Sequence, residues 1–319
     1  MSLALYGEEG FYSQVGSAGR RGDFITSPEV GPLFGAVLAR VLDEWWHEMG
    51  SPNSFSVVEV GAGPGTLARS VMAAEPECLR HGTYVAVETS AEQRLRHPDS
   101  VQSVSEMPVR IDHGVVIVNE LLDNLPFQLL VFDGGWREAF VTTNEEGSFA
   151  EVLGEKVETP RGFPETAPHG TRLPLQEEAR EWVSRVRSAI HVGRVLVFDY
   201  CTPTTAELAL IPWRDWLRTY RQHERGSHYL RDVGLQDITV QVCLDQLEIR
   251  DAKVSTQAEF LRRHGINELV DEGRRYWESH RGRPDVRAMT MRSRVREAEA
   301  LCDEHGLGGF TVLELLQKS

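Results

Sequence analysis

The sequence predicts an α/β fold, a mostly parallel twisted sheet with helices on both faces. Three observations carry that reading. Short apolar runs recur at 55–60, 84–87, 115–118 and 194–198. Segments of helical periodicity lie between several of them, and strands alternating with helices at this spacing imply parallel pairing. The first run passes straight into a glycine turn and a helix start, "VVEVGAGPGTLA", the order of an α/β unit that opens toward a ligand.

Residues 1–54 form the first segment. Arg20, Arg21, Gly22 and Asp23 read as loop, and the clearest helix of the chain follows. Val30, Leu33, Phe34, Val37, Leu38, Val41, Leu42, Trp45 and Trp46 recur every three or four residues as one apolar face. Ser27 suits the N-cap, Pro28 the first helical position, and Thr26 with Glu29 a capping box. Gly50-Ser51-Pro52-Asn53 ends the helix.

The core is expected over 55–200. After the first strand and glycine turn comes a helix carrying Leu67, Ala68, Val71 and Met72, then a strand ending at Glu88. The run 115–118 follows, then a hairpin and a polar excursion over about 129–172. A helix using Leu175, Ala179, Trp182, Val183 and Val186, closed by Gly193, leads into 194–198. Residues 201–305 are rich in Trp, Tyr, His and Arg in their first part and read as an accessory cap or lid with helices. Trp213, Trp216 and Tyr220 stand there at helical spacing, as packing residues, and 306–319 supplies a last core strand over 310–313.

Composition bounds the function. The 319 residues are 41% hydrophobic and 26% charged, which is globular and not disordered. The net charge of −14 disfavours nucleic acid, whose phosphates call for clustered basic surface. No apolar run approaches the roughly 20 residues of a membrane span. The four scattered cysteines have no metal spacing and read as free thiols, so no metal is expected and the setting is cytoplasmic.

The glycine turn reads as a cofactor site. Gly61, Gly63 and Gly65 let the backbone turn tightly beside a helix N-terminus. A dinucleotide fingerprint wants Gly or Ala where this chain has Thr66, which disfavours NAD. The spacing G-x-G-x-G, with Glu59 two residues ahead of it, instead resembles motif I of class I S-adenosylmethionine (SAM) methyltransferases. Glu88, at the end of the next strand, can accept hydrogen bonds from both ribose hydroxyls. In "VVIVNELLDNLPFQ" a buried strand ends in Asn119, Glu120, Asp123 and Asn124, where a substrate's reacting group falls in an open α/β sheet. If a helical turn begins there, Glu120 and Asp123 share a face at i and i+3; acids suiting a helix dipole are the plain alternative.

Six segments then follow one another in the order of the MidA-type methyltransferases, and the chain resembles that family along nearly its whole length. They are "GDFITSPEVGPLFG" (22–35), "VVEVGAGPGTLA" (57–68), "VAVETS" (85–90), "VNELLDNLP" (118–126), "VLVFDY" (195–200) and "DITVQV" (237–242). "LYGEEGFYS" and "TQAEFLRRHGI" (256–266) fit as well. Two departures stand out. Asp199-Tyr200-Cys201 replaces the family's Asp-Tyr-Gly, and Trp216-Leu217-Arg218 stands near its Gly-Thr-Leu. These changes leave the SAM site alone and bear on the protein substrate.

The resemblance implies a Rossmann-like class I fold with an N-terminal helix and a cap. It also implies SAM as methyl donor and a protein arginine as acceptor, dimethylated symmetrically, with a complex I-like subunit as partner. It places Gly22, Asp23, Thr26 and Ser27 over the cofactor pocket. An arginine arrives protonated, so carboxylates against its other nitrogens would orient it and stabilise charge during transfer. Glu120 and Asp123 are expected to do this, with Asn119 placing SAM or substrate. A small-molecule acceptor and a non-catalytic SAM-binding assembly factor remain as alternatives.

Overall fold

The computed structural model describes residues 1–13, 26–221, 224–249 and 251–318. A short helix α1 (Ser2–Tyr6) comes first. The helix expected from Ser27 onward is two helices, α2 (Ser27–Val30) and α3 (Pro32–Glu48). Thr26, not Ser27, is the N-cap of α2, and its N–H donates to Glu29 Oε2 at 3.2 Å in a capping box. The break at Gly31 has a distant cause. Glu297 Oε2 accepts the Leu33 N–H at 2.8 Å and so caps α3, and a Cβ on Gly31 would stand 2.2 Å from the Glu297 carboxyl carbon.

Next come β1 (Ser56–Val60), α4 (Thr66–Ala73), β2 (Thr83–Val87), α5 (Ala91–Arg94), β3 (Gln102–Val104) and β4 (Ile111–Asn119). The stretch read as a hairpin and excursion is a separate antiparallel sheet in the order β7-β6-β5-β8. Its strands are β5 (Gln128–Phe132), β6 (Trp136–Thr143), β7 (Phe149–Lys156) and β8 (Arg172–Leu175). After α6 (Glu177–Ala189), β9 (Ile190–Asp199) starts at once, so Gly193 lies inside a strand and does not close the helix. Its role is close approach: a Cβ there would stand 1.9 Å from the carbonyl oxygen of its register partner Gly114.

The 201–305 stretch divides three ways. β10 (Cys201–Thr202), α7 (Thr205–Leu208), α8 (Trp213–Trp216), β11 (Leu217–Arg221), β12 (Glu224–Arg225), β13 (Asp237–Val240) and β14 (Val242–Cys243) make the first part. The helical spacing of its aromatics lasts one turn, because the chain turns extended after the fully buried Trp216 and pairs β11 with β13. Leu5 and Phe11, Leu130 and Trp136, and Trp216 and Ile238 share one core, which joins this part to the small sheet and the N-terminus. Arg172 of the small sheet, bidentate to Glu151 at 2.7 Å for each bond, lies 5.2 Å from the Trp213 ring. The second part, β15 (Lys253–Thr256), is an edge of the central sheet, and the third is α9 (Gln257–Arg263), α10 (Ile266–His280) and α11 (Val286–Leu301). Then β16 (Thr311–Gln317) follows. Among the described residues, no helix is long and apolar enough to cross a membrane.

The central sheet runs β15-β16-β9-β4-β1-β2-β3. β3, β2, β1, β4 and β9 pair in parallel, and β16 is antiparallel to both its neighbours. Its middle strands β1, β4 and β9 are buried on both faces, hence near-continuous Val, Ile and Leu in place of alternation, and the edge strands β3 and β15 are not. Val57, Val115, Ile117 and Phe198 pack against α3, α4 and α9, whereas Val58, Val116, Val118 and Val195 pack against α6. Phe198 meets Phe34 and Phe260 edge-on at 5.2 and 5.4 Å, locking α3 and α9 to the sheet. β2 lies on one side of β1 and β4 on the other, so the order reverses there and leaves a crevice beyond their carboxyl ends.

Candidate active site

A cavity of about 310 Å³ fills that crevice, within the range of small-ligand pockets. The turn after β1 forms its floor. Gly61, Gly63 and Gly65 have φ of 75°, 50° and 76°, values L-residues rarely adopt. Gly63 also faces open space where a side chain would point, so it is bare on the side toward the cavity it lines. The Gly61 and Ala62 N–H groups donate to the Val87 carbonyl at 3.0 Å, and the Gly63 N–H donates to Glu88 Oε2 at 3.0 Å. Outside the turn, His97 bridges the Gly63 carbonyl and Ser103 Oγ at 2.9 and 2.8 Å.

Glu88 and Thr66 line the cavity, as the sequence reading expects. Glu88 Oε1 accepts the Ser90 N–H at 2.8 Å, so the carboxylate is fixed yet keeps lone pairs for a ribose. Glu59 lines the cavity too, but its hydrogen bonds run beneath the turn, from Tyr84 OH at 2.7 Å and the Ala68 N–H. Burial pushes its carboxyl up to about 7, against the pull of those donors.

At the end of β4 the Glu120 N–H extends the ladder to the Phe198 carbonyl at 2.8 Å. Glu120 itself then takes a φ of 51°. Such a conformation costs a non-glycine residue of order 1 kcal/mol and holds only if its surroundings enforce it. Asp199, fully buried at the end of β9, enforces it. Its Oδ2 accepts the Leu122 and Leu121 N–H groups at 2.8 and 3.3 Å, and its Oδ1 accepts the Tyr200 N–H at 2.8 Å. Burial raises the Asp199 carboxyl, and these backbone donors work against that rise.

The turn therefore differs from the expected one. A 3₁₀ turn spans Leu122–Asn124 only, so Glu120 and Asp123 do not share a helical face. Glu120 lines the cavity, whereas Asp123, 2% exposed, stands behind it with Oδ1 unpaired; Asn124 lines the cavity instead. Asn119 Nδ2 donates to Glu120 Oε1 at 3.1 Å, and Tyr200 OH approaches Oε2 at 3.5 Å. Asn119 Oδ1 is buried without a partner among the described residues. Burial first, then the neighbouring Asp199, push Glu120 up to about 8. Burial holds Asp123 well above the carboxylate range, with Asp199, Asp237 and Glu120 adding and Arg218 opposing. Among the described residues, no group of three or more His, Cys, Asp or Glu side chains can hold a metal ion.

Tyr6 and Tyr12, both within "LYGEEGFYS" but not singled out there as site residues, complete the wall. Their rings stack at 5.6 Å. Tyr6 OH donates to the Asn124 carbonyl at 3.0 Å and Tyr12 OH to Asp237 Oδ1 at 2.9 Å. The same Asp237 oxygen accepts Asn124 Nδ2 at 3.1 Å. Thr26, Pro28 and Glu29 line the cavity beside them. Ser27 does not: it is fully buried, and its hydroxyl donates to Gln257 Oε1 at 2.9 Å, so it joins α2 to α9. At the start of α2 the Glu29 N–H bonds the Thr26 carbonyl at 2.9 Å. Gly22 and Asp23 lie outside the described residues.

A family model described as "Putative S-adenosyl-L-methionine-dependent methyltransferase" matches residues 37–262, most of the chain. The chain belongs to this family. Its fold is the class I methyltransferase fold. The crystal structure of a COG1565 superfamily protein from Burkholderia thailandensis bound to S-adenosyl-homocysteine superposes with a TM-score of 0.82 at 25% identity, covering 99% of this chain and 86% of that one. A native structure described as an uncharacterized protein of the same superfamily and organism gives 0.78 at 25% identity, with coverages of 99% and 85%.

Among curated relatives, the mitochondrial protein arginine methyltransferase NDUFAF7 homolog of Drosophila melanogaster is 29% identical over 276 residues, 74% of this chain and 61% of that protein. Human NDUFAF7 matches at 38% over 64 residues, 20% of this chain and 14% of that protein. The chain thus spans about three fifths of the length of the first of these relatives. SAM, the family's methyl donor, suits the residues present. Gly63 leaves its part of the floor bare, Glu88 is fixed to receive a ribose, and Glu120 of the acidic strand end faces the same space.

Proposed function

We propose that the protein transfers a methyl group from SAM to the guanidinium of an arginine in a protein substrate. One observation carries the acceptor: Glu120 lines the glycine-floored cavity and makes no ion pair among the described residues. A carboxylate at a cavity wall without a cation suits one from outside. The names of the curated relatives as protein arginine methyltransferases support the same reading.

When bound, SAM supplies an electrophilic methyl on a sulfonium, and the protein's task is alignment. Gly61, Gly63 and Glu88 hold the donor, whereas Gly65, expected in the same site, does not line the cavity and serves as the N-cap of α4. Glu120, steadied by Asn119 and Tyr200, receives the guanidinium and fixes which nitrogen faces the methyl. The acceptor nitrogen sheds a proton for each methyl gained, and a carboxyl held up to about 8 is suited to take it. Asp123 stands behind it, and the charge on Glu120 helps keep the Asp123 carboxyl protonated. The stacked faces of Tyr6 and Tyr12 give a planar cation an aromatic wall.

The test is labelling with methyl-labelled SAM in extract from cells lacking the gene, using the intact protein, Gly63→Val and Glu120→Gln. The expected result is one polypeptide labelled on arginine by the intact protein alone. SAM binding without protein label would refute the arginine reading and point to a small-molecule acceptor or a non-catalytic role.

A further inference from the structure

One side of the cavity takes no part in the chemistry above. Beyond Glu88, Gln93 lines it, as do the apolar side chains of Leu121, Leu125 and Trp182. Gln93 is 7% exposed, and its side-chain amide makes no hydrogen bond to any described residue; its Oε1 is buried and unpaired. An unsatisfied buried amide costs about 1–3 kcal/mol, so a ligand that completes it is favoured. Its carrier helix is well placed. Ser90 Oγ accepts the Gln93 N–H at 3.4 Å, and Arg94 donates to the Glu88 and Thr89 carbonyls at 2.6 and 2.7 Å. Those bonds fix Gln93 relative to the acid at the end of β2.

We infer that Gln93 reads the adenine of the bound nucleoside, an inference that rests on the SAM reading of the cavity. With the ribose on Glu88, the base extends toward Gln93 between the apolar walls. Adenine presents an N6 amine donor beside a ring-nitrogen acceptor, and a glutamine amide presents the complementary acceptor and donor side by side. Oε1 accepts from N6, and Nε2 donates to N7. The last side-chain torsion of glutamine is soft, so the amide turns to meet the base. On that edge hypoxanthine presents two acceptors, O6 and N7, so it keeps at most one of the two bonds whichever way the amide turns.

The test is calorimetric binding of S-adenosyl-homocysteine and S-inosyl-homocysteine to the intact protein, Gln93→Leu and Gln93→Met, with melting curves showing that each variant folds. The intact protein should prefer the adenosyl compound by about tenfold or more, the discrimination expected of a bidentate amide–base pair. Both variants should lose that preference by binding the adenosyl compound more weakly while holding the inosyl compound as before. A preference kept in the variants, or equal weakening for both compounds, would overturn the assignment. No binding of either compound to the intact protein would instead overturn the cofactor reading beneath it.

Discussion

The two walls of the cavity are built differently. On the donor wall the bonds are short in sequence: Glu59 to Tyr84 and Gly63 to Glu88 each span 25 positions, and His97 to Gly63 spans 34. This is one β-α-β unit folding on itself. On the acceptor wall, Leu122 reaches Asp199 across 77 positions, Asn124 reaches Asp237 across 113, Tyr6 reaches Asn124 across 118 and Tyr12 reaches Asp237 across 225. That wall exists only after four distant segments have met. The donor site is a local property of the chain, and the acceptor site is a property of the whole fold. Substitutions should therefore separate them.

Gly63→Val should break the donor wall alone. A β-branched side chain at a φ of 50°, aimed into the cavity, should weaken S-adenosyl-homocysteine by roughly a hundredfold or more while the protein stays folded, as calorimetry and a melting curve would show. Glu120→Gln should do the reverse. Methyl transfer should fall by about 10²–10³ with S-adenosyl-homocysteine affinity nearly unchanged, measured by single-turnover labelling. Full activity in that variant would remove Glu120 from the mechanism.

Acidity gives a finer cut. With Glu120 up at about 8, its neutral form dominates below that pH, so apparent affinity for a cationic acceptor should rise by up to tenfold per unit toward pH 8 and level off above. Glu120→Gln should flatten the profile. Stability should run the other way. Glu59 and Glu120 bind protons more tightly folded than unfolded, so the free protein should lose melting temperature as pH rises from about 5 to 8. The smallest change is Tyr12→Phe, which removes one bond to Asp237. It should cost about 1 kcal/mol in urea unfolding and raise the acceptor KM several-fold without moving nucleoside affinity.

The same contrast explains what could be read from the sequence. The strands announced themselves as apolar runs because they are buried on both faces, and the glycine turn with Glu88 keeps its spacing because every bond there is local. Asp199 showed itself only inside the family segment "VLVFDY"; its purpose, to gather N–H groups from residues 121 and 122, did not. The left-handed backbone at Glu120 follows from that gathering, and the shared face with Asp123 fails with it. Gly31 hides inside an unbroken helical pattern because the carboxylate that breaks the helix comes from residue 297. The small sheet was obscure because Phe140, Val141, Phe149 and Val152 face solvent, which blurs the alternation of its strands.

The position of β16 has a consequence for how the protein is made. Residues 311–317 form an interior strand, between β9 and β15. During synthesis the β3-β2-β1-β4-β9 portion, with the glycine turn and the acidic strand end, can emerge and pair first. β15 must then wait with no neighbour until the later strand leaves the ribosome and slides in beside β9. Until that moment β9 presents an open apolar edge, a place for a chaperone to hold or for two nascent chains to join wrongly.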